Sequence, residues 1–160
     1  MFVFASKYGL IGAGVSIAAV LLFFVLDSSV PSFVNPIVIL AVLIWGQLDY
    51  RKVGVPPIGY GEVLGVGVLV ILWFATVTMI FNMIHWSFID TEMTTRVLQQ
   101  LEQTLSEQGL SESDAKVAMD MQQMMIGPIM TPVMGFLGLM LAGTLASLIT
   151  SIFTRKSATE

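Results

Sequence analysis

His85 is the only histidine of the chain, and Asn82, Trp86 and Asp90 stand close to it. An imidazole near a carboxylate can move protons at neutral pH, and either ring nitrogen can bind a metal ion. At the end of a long apolar run and beside a tryptophan, however, a single imidazole reads as a hydrogen-bonded interface residue. Met119, Met121, Met124 and Met125, with Met130 and Met134 beyond them, could offer soft thioether ligands to Cu(I). Helical spacing puts Met121 and Met125 on one face but Met119 and Met124 on others, so these methionines read as adaptable packing surface. Asp27 and Glu62 fall at the ends of apolar runs, and no charge occupies the middle of any run. That pattern argues against proton- or ion-coupled carriers, which usually keep an ionisable group near the bilayer midplane. The chain has no cysteine, hence no disulfide, thiolate nucleophile or Cys-based metal site. Haem would want two good axial ligands, and one His with Met is a thin basis for it. Ser/His/Asp hydrolase, P-loop and HExxH patterns are missing as well. The reading is a non-enzyme with no catalytic, cofactor-binding or metal-ligating residue.

The elements that hold these residues follow from composition. Of 160 residues, 56% are apolar and 11% charged, and the mean hydropathy is +0.86. Soluble domains carry roughly 25% charged residues, so this is an integral membrane protein with room for one domain. A formal charge of -4 without a basic patch leaves no case for nucleic acid as a partner. Four apolar runs, at about 8–26, 32–48, 62–86 and 128–153, approach the ~20 helical residues that cross a hydrocarbon core of about 30 Å. The first is read as an uncleaved helix, since a signal-peptide core is only about 7–15 residues long. A tight connection is expected over 27–32. A loop should follow 48, because GQLDYRKVGVPPIGYGE contains Pro56 and Pro57. Tyr50 and Tyr60 suit the headgroup level. Gly61 and Gly65 form a GxxxG pair, and Gly135, Gly138, Ala142 and Ala146 make a smooth stripe, so these six residues are the candidate helix-packing positions. Pro128 suits a first helical position, Pro132 is expected to bend the first turn, and Arg155 and Lys156 end the last span.

Short cytoplasmic loops carry the Lys/Arg excess. With both termini in the cytoplasm, Lys7, Arg51, Lys52, Arg155 and Lys156 lie inside, and only Arg96 and Lys116 lie outside. The polar interval 87–126 is then external, in the periplasm of a bacterial inner-membrane protein. It is predicted to be a helical hairpin. Residues 91–108 lack proline and glycine, and Met93, Val97, Leu98, Leu101 and Leu105 recur at helical spacing. Gly109 and Leu110 suit a Schellman stop, and Ser111 suits the N-cap of a second helix with Ala115, Ala118, Met121 and Met125 on one side. The two stripes could face each other, lie on the membrane or cover a partner.

The stretches KYGLIGAGVSI, RKVGVPPIGYGEVLGVGVLV, MIFNMIHWSFID and LASLITSIFTRK together resemble the bacterial four-helix membrane proteins of the domain-of-unknown-function 4199 family. The resemblance covers nearly the whole chain. It departs from the family pattern at Thr91, where members often have proline, and at Gly59, Tyr60 and Gly61, where they often have Ser-Phe-Gly. What it implies is four spans with an external helical insertion and no known activity, cofactor or catalytic residue.

The expected fold is therefore all-α, an integral membrane bundle of four transmembrane helices with an external helical hairpin between helices 3 and 4. The expected function is that of a non-catalytic accessory or scaffolding subunit of a larger inner-membrane complex. It would touch lipid and other membrane-protein subunits through a partner interface of Met93, Val97, Leu101, Leu105, Met121 and Met125. The competing expectation is a small transporter or channel-like oligomer with a polar cavity near Asn82 and His85.

Overall fold

A computed structural model describes residues 1–26, 33–53, 58–107 and 112–154, and every regular element among them is helical. The helices are α1 (Phe2–Val25), α2 (Val34–Val53), α3 (Tyr60–Ile84), α4 (Met93–Glu107), α5 (Glu112–Met125) and α6 (Met130–Thr154). A π-helical turn, His85–Ile89, continues α3. Three helices are long and apolar enough to cross a membrane: Phe2–Val25, Tyr60–Ile89 and Met130–Thr154. The expected connection at 27–32, the proline pair at 56–57, the hairpin corner at 109–111 and the basic stop at 155–156 lie outside the described residues.

The helix limits differ from the predicted runs for local reasons. α1 starts at Phe2 rather than 8, since nothing before Tyr8 breaks a helix and Ser6 bonds back to the Val3 carbonyl at 2.8 Å. α2 runs on to Val53 rather than ending at 48, so Asp49, Arg51 and Lys52 are helical and not part of a loop. Lys52 there pairs with Asp49 at 3.5 Å, one turn back. α3 opens with a reciprocal cap, in which the Gly59 N–H donates to the Glu62 carboxylate at 3.3 Å. α6 begins at Met130 and not at Pro128. Thr131 holds the preceding turn, its hydroxyl accepting the Gly127 N–H at 3.1 Å, and Pro132 sits in the first turn of the helix, where its missing N–H leaves little unmade.

The chain divides into two compact units, Met1–Thr78 with Phe136–Glu160, and Met79–Gly135. In the first, α1, α2, α3 and α6 meet in a common core. Ala5 and Tyr8 of α1 pack with Val42 of α2 and with Val66 and Val70 of α3. Farther along, Ala13, Ile39, Leu43, Ile71 and Phe74 form a second cluster, against which Leu139, Met140 and Ala146 of α6 close. The outward faces remain apolar: Leu141 is 71% exposed and Phe153 77%. Water would not tolerate such a surface and hydrocarbon does, which fits the composition.

Small residues set the closest approaches. A β-carbon added at Gly9 would lie 2.5 Å from Cβ of Trp73 and 2.7 Å from the Val70 carbonyl oxygen. Backbone of α1 therefore touches α3 there without room for a methyl group. Gly67 is as confined, with Ser147 Oγ and Gln47 Nε2 against it. Of the predicted packing positions, Gly61, Gly135 and Gly138 have open space where a β-carbon would stand, and Gly65 has only the Met1 side chain, at 3.3 Å. Ala142 is exposed, and Ala146 packs partly buried against the core.

Candidate functional site

Several polar groups of the first unit answer one another across helices. Gln47 is fully buried on α2. Its Nε2 donates to Ser147 Oγ at 3.2 Å and to Ser151 Oγ at 3.0 Å, and its Oε1 accepts the Thr154 hydroxyl at 3.2 Å. Ser147 and Ser151 also donate to backbone, to Leu64 O at 3.3 Å and to Ser147 O at 2.6 Å, and Thr154 shares its one proton between Gln47 and Thr150 O, at 2.9 Å from the latter. A buried amide in an apolar bundle needs such partners, and here one helix supplies a ladder of them. Gly67 gives the space in which the ladder and the amide meet. Toward one end of the same unit, Tyr8 of α1 donates its hydroxyl to the Asp49 carboxylate of α2, with Trp45, at 5.3 Å between ring centroids, packed edge-on to Tyr8. Both arrangements join helices.

In the second unit, the π-turn and the start of α4 converge on Asp90. The Asp90 N–H closes the π-turn by donating to the His85 carbonyl at 2.7 Å, and its own carbonyl accepts the Met93 N–H at 3.2 Å. Its carboxylate, on a residue only 8% exposed, pairs with the half-exposed Arg96. One residue thus ends α3, starts α4 and fixes the first turn of α4 through a charge. His85 is buried, with the Phe81 ring 5.5 Å from its own, and Asn82 is half-buried one turn earlier. No group of three or more His, Cys, Asp or Glu among the described residues could hold a metal ion.

α4 is strongly amphipathic. Met93, Val97, Leu101 and Leu105 are partly covered, and α5 packs against the helix. α5 does not turn all of its expected stripe inward. Ala118 and Met119 are partly covered, whereas Met121 is 65% exposed and Met125 45%. Val117 and Met124 share that outer face, at 60% and 83%. The six predicted interface residues therefore separate into a covered set on α4 and an exposed pair on α5. Sequence reasoning passed over Val117 and set Met124 on another face, although Met121 stands four residues after Val117 and three and four before Met124 and Met125, which links all four at helical period. It also passed over the Gln47 cluster, which had a signal in Ser147, Ser151 and Thr154 at spacings of four and three on an otherwise apolar helix.

Among the described residues, an all-helical chain with three helices long and apolar enough to cross a bilayer, and a polar helical pair before the last of them, is consistent with a membrane protein of the helical type. Residues 7–156 match the family described as protein of unknown function (DUF4199), and the chain belongs to that family. No curated protein and no solved structure matches it.

Proposed function

We propose that this chain is a non-catalytic accessory or scaffolding subunit of a larger bacterial inner-membrane assembly, docking through the hairpin of α4 and α5. The observation that carries the reading is the outer face of α5, where Val117, Met121, Met124 and Met125 stand exposed in the most polar part of the chain. Exposed apolar surface in such a setting marks a contact site. In this reading α2 is the fourth span. Its last turns carry Asp49, Arg51 and Lys52, which lower its apolarity, but its core face is packed like those of α1 and α3. Both termini lie in the cytoplasm and the hairpin in the periplasm, as the distribution of Lys and Arg supports.

The polar residues of the bundle support a structural part over a transport path. Gln47 spends both ends of its amide on α6, and the hydroxyls it meets are bonded to backbone as well. Extraction of the membrane into native lipid discs, followed by mass spectrometry of what accompanies the chain, tests the proposal. Stoichiometric co-isolation of another membrane protein is the expected result, and a solitary chain at native lipid content would refute it.

A further inference from the structure

We propose that the exposed face of α5 receives a basic amphipathic helix of a partner protein. This rests on the subunit reading and names the chemistry of the partner. Val117, Met121, Met124 and Met125 lie along one side of α5, each at least 45% exposed. Met119, on the opposite side, is partly covered, as is Ala118 at the edge of the strip. Unbranched thioether side chains can reshape around an incoming helix, so a methionine strip suits an apolar ridge of variable contour.

Charge selects among possible occupants. Residues 79–135 carry seven acids, Asp90, Glu92, Glu102, Glu107, Glu112, Asp114 and Asp120, against Arg96 and Lys116, a net charge of -5. Arg96 already serves Asp90. On α5 itself, Asp114 falls in line with Met121 and Met125 two and three turns on, and Asp120 lies along the other edge beside Met124. A second copy would set -5 against -5. Helices that lie on lipid carry Lys and Arg on their polar face, and this one carries acids, which anionic headgroups repel. A helix with apolar anchors at i, i+3 or i+4, and i+7, flanked by Lys or Arg, matches the strip in apolarity and the net negative charge around it in sign.

The test uses the full chain in discs of zwitterionic phosphatidylcholine. The probe is a fluorescent Leu/Lys amphipathic peptide of about 18 residues, five turns of helix, followed by anisotropy, with empty discs as blank. Its counterpart has glutamate for every lysine. The Lys peptide should bind at least about ten-fold more tightly than the Glu peptide and weaken as salt is added. Met121→Ser with Met124→Ser should cost about ten-fold or more in affinity, and Asp120→Lys about three-fold or more. Gln123→Ser, exposed on α5 but off the strip, should leave binding unchanged. Equal binding of the two peptides, equal binding to empty discs, or indifference to the double Met substitution would overturn the proposal. So would a dimer in sedimentation that the double substitution dissolves, which would assign the face to a second copy. The titration needs no native partner, so it stands apart from the subunit test. A native complex that forms equally well with the double variant removes this inference alone, and a solitary native chain removes the subunit reading.

Discussion

Replacing Gln47 by leucine isolates the energetics of the buried cluster. The side chain is fully buried and makes three bonds, two from Nε2 and one to Oε1, at 3.0 to 3.2 Å. Leucine has nearly the same volume, so no large void opens. No hydroxyl is orphaned either, because Ser147, Ser151 and Thr154 each keep a carbonyl acceptor. The loss is the three interhelical bonds alone, and at about 0.6 kcal/mol each within a membrane protein they amount to about 2 kcal/mol. Gln47→Ala removes the bonds and leaves a void as well, and should fall a further 1 to 2 kcal/mol or so below leucine. The assay is unfolding in mixed micelles, followed by the fluorescence of Trp45, Trp73 and Trp86. A cycle pairing Gln47→Leu with Ser151→Ala should return a coupling of about 0.6 kcal/mol. A leucine variant as stable as the parent, or a coupling indistinguishable from zero, would show that the amide and the hydroxyls are neighbours without energetic consequence.

Three further outcomes follow from packing and charge. Gly9→Ala should lower stability by about 1 to 3 kcal/mol, because its methyl meets Trp73 and backbone of α3, whereas Gly138→Ala, facing open space, should leave the midpoint unchanged or raise it; equal effects would contradict the contact between α1 and α3. Arg96→Ala should speed amide exchange over residues 90–97 by roughly ten-fold or less, since Arg96 is half-exposed and solvent replaces part of the pairing to Asp90; unchanged exchange would mean that the backbone cap alone holds the start of α4. In this cysteine-free chain, Glu107→Cys should react with an impermeant maleimide from outside intact cells and Lys52→Cys should not, and the reverse pattern would invert the proposed orientation.

Sequence patterning was informative where a segment follows one period over many residues. Length and apolarity identify α1, α3 and α6, and the spacing of Met93, Val97, Leu101 and Leu105 identifies α4 and its covered side. Ends were less legible, since Asp49, Arg51 and Lys52 look like loop residues until a helix is seen to carry them one turn apart. The side that α5 buries was ambiguous, because Ala118 and Met121 are three residues apart and belong equally to one broad stripe. Glycine spacing alone does not locate the close contacts within the chain. Gly61 and Gly65 match a motif, but close approach depends on which neighbour arrives, and it arrives at Gly9 and Gly67. The π-turn leaves no periodic trace at all, being one residue added to one turn.

The ladder on α6 also bears on how such a chain is made. In the four-span arrangement proposed above, α2 leaves the ribosome with Gln47 unsatisfied, and its partners Ser147 and Ser151 follow 100 and 104 residues later. The asymmetry favours that order. Ser151 and Thr154 can satisfy themselves on the carbonyls of their own helix, so α6 reaches the bilayer with only Ser147 still to meet its Leu64 acceptor on α3, while the amide of α2 has no such recourse and waits. α6, made well after α2, is therefore the helix that secures the least apolar helix of the bundle.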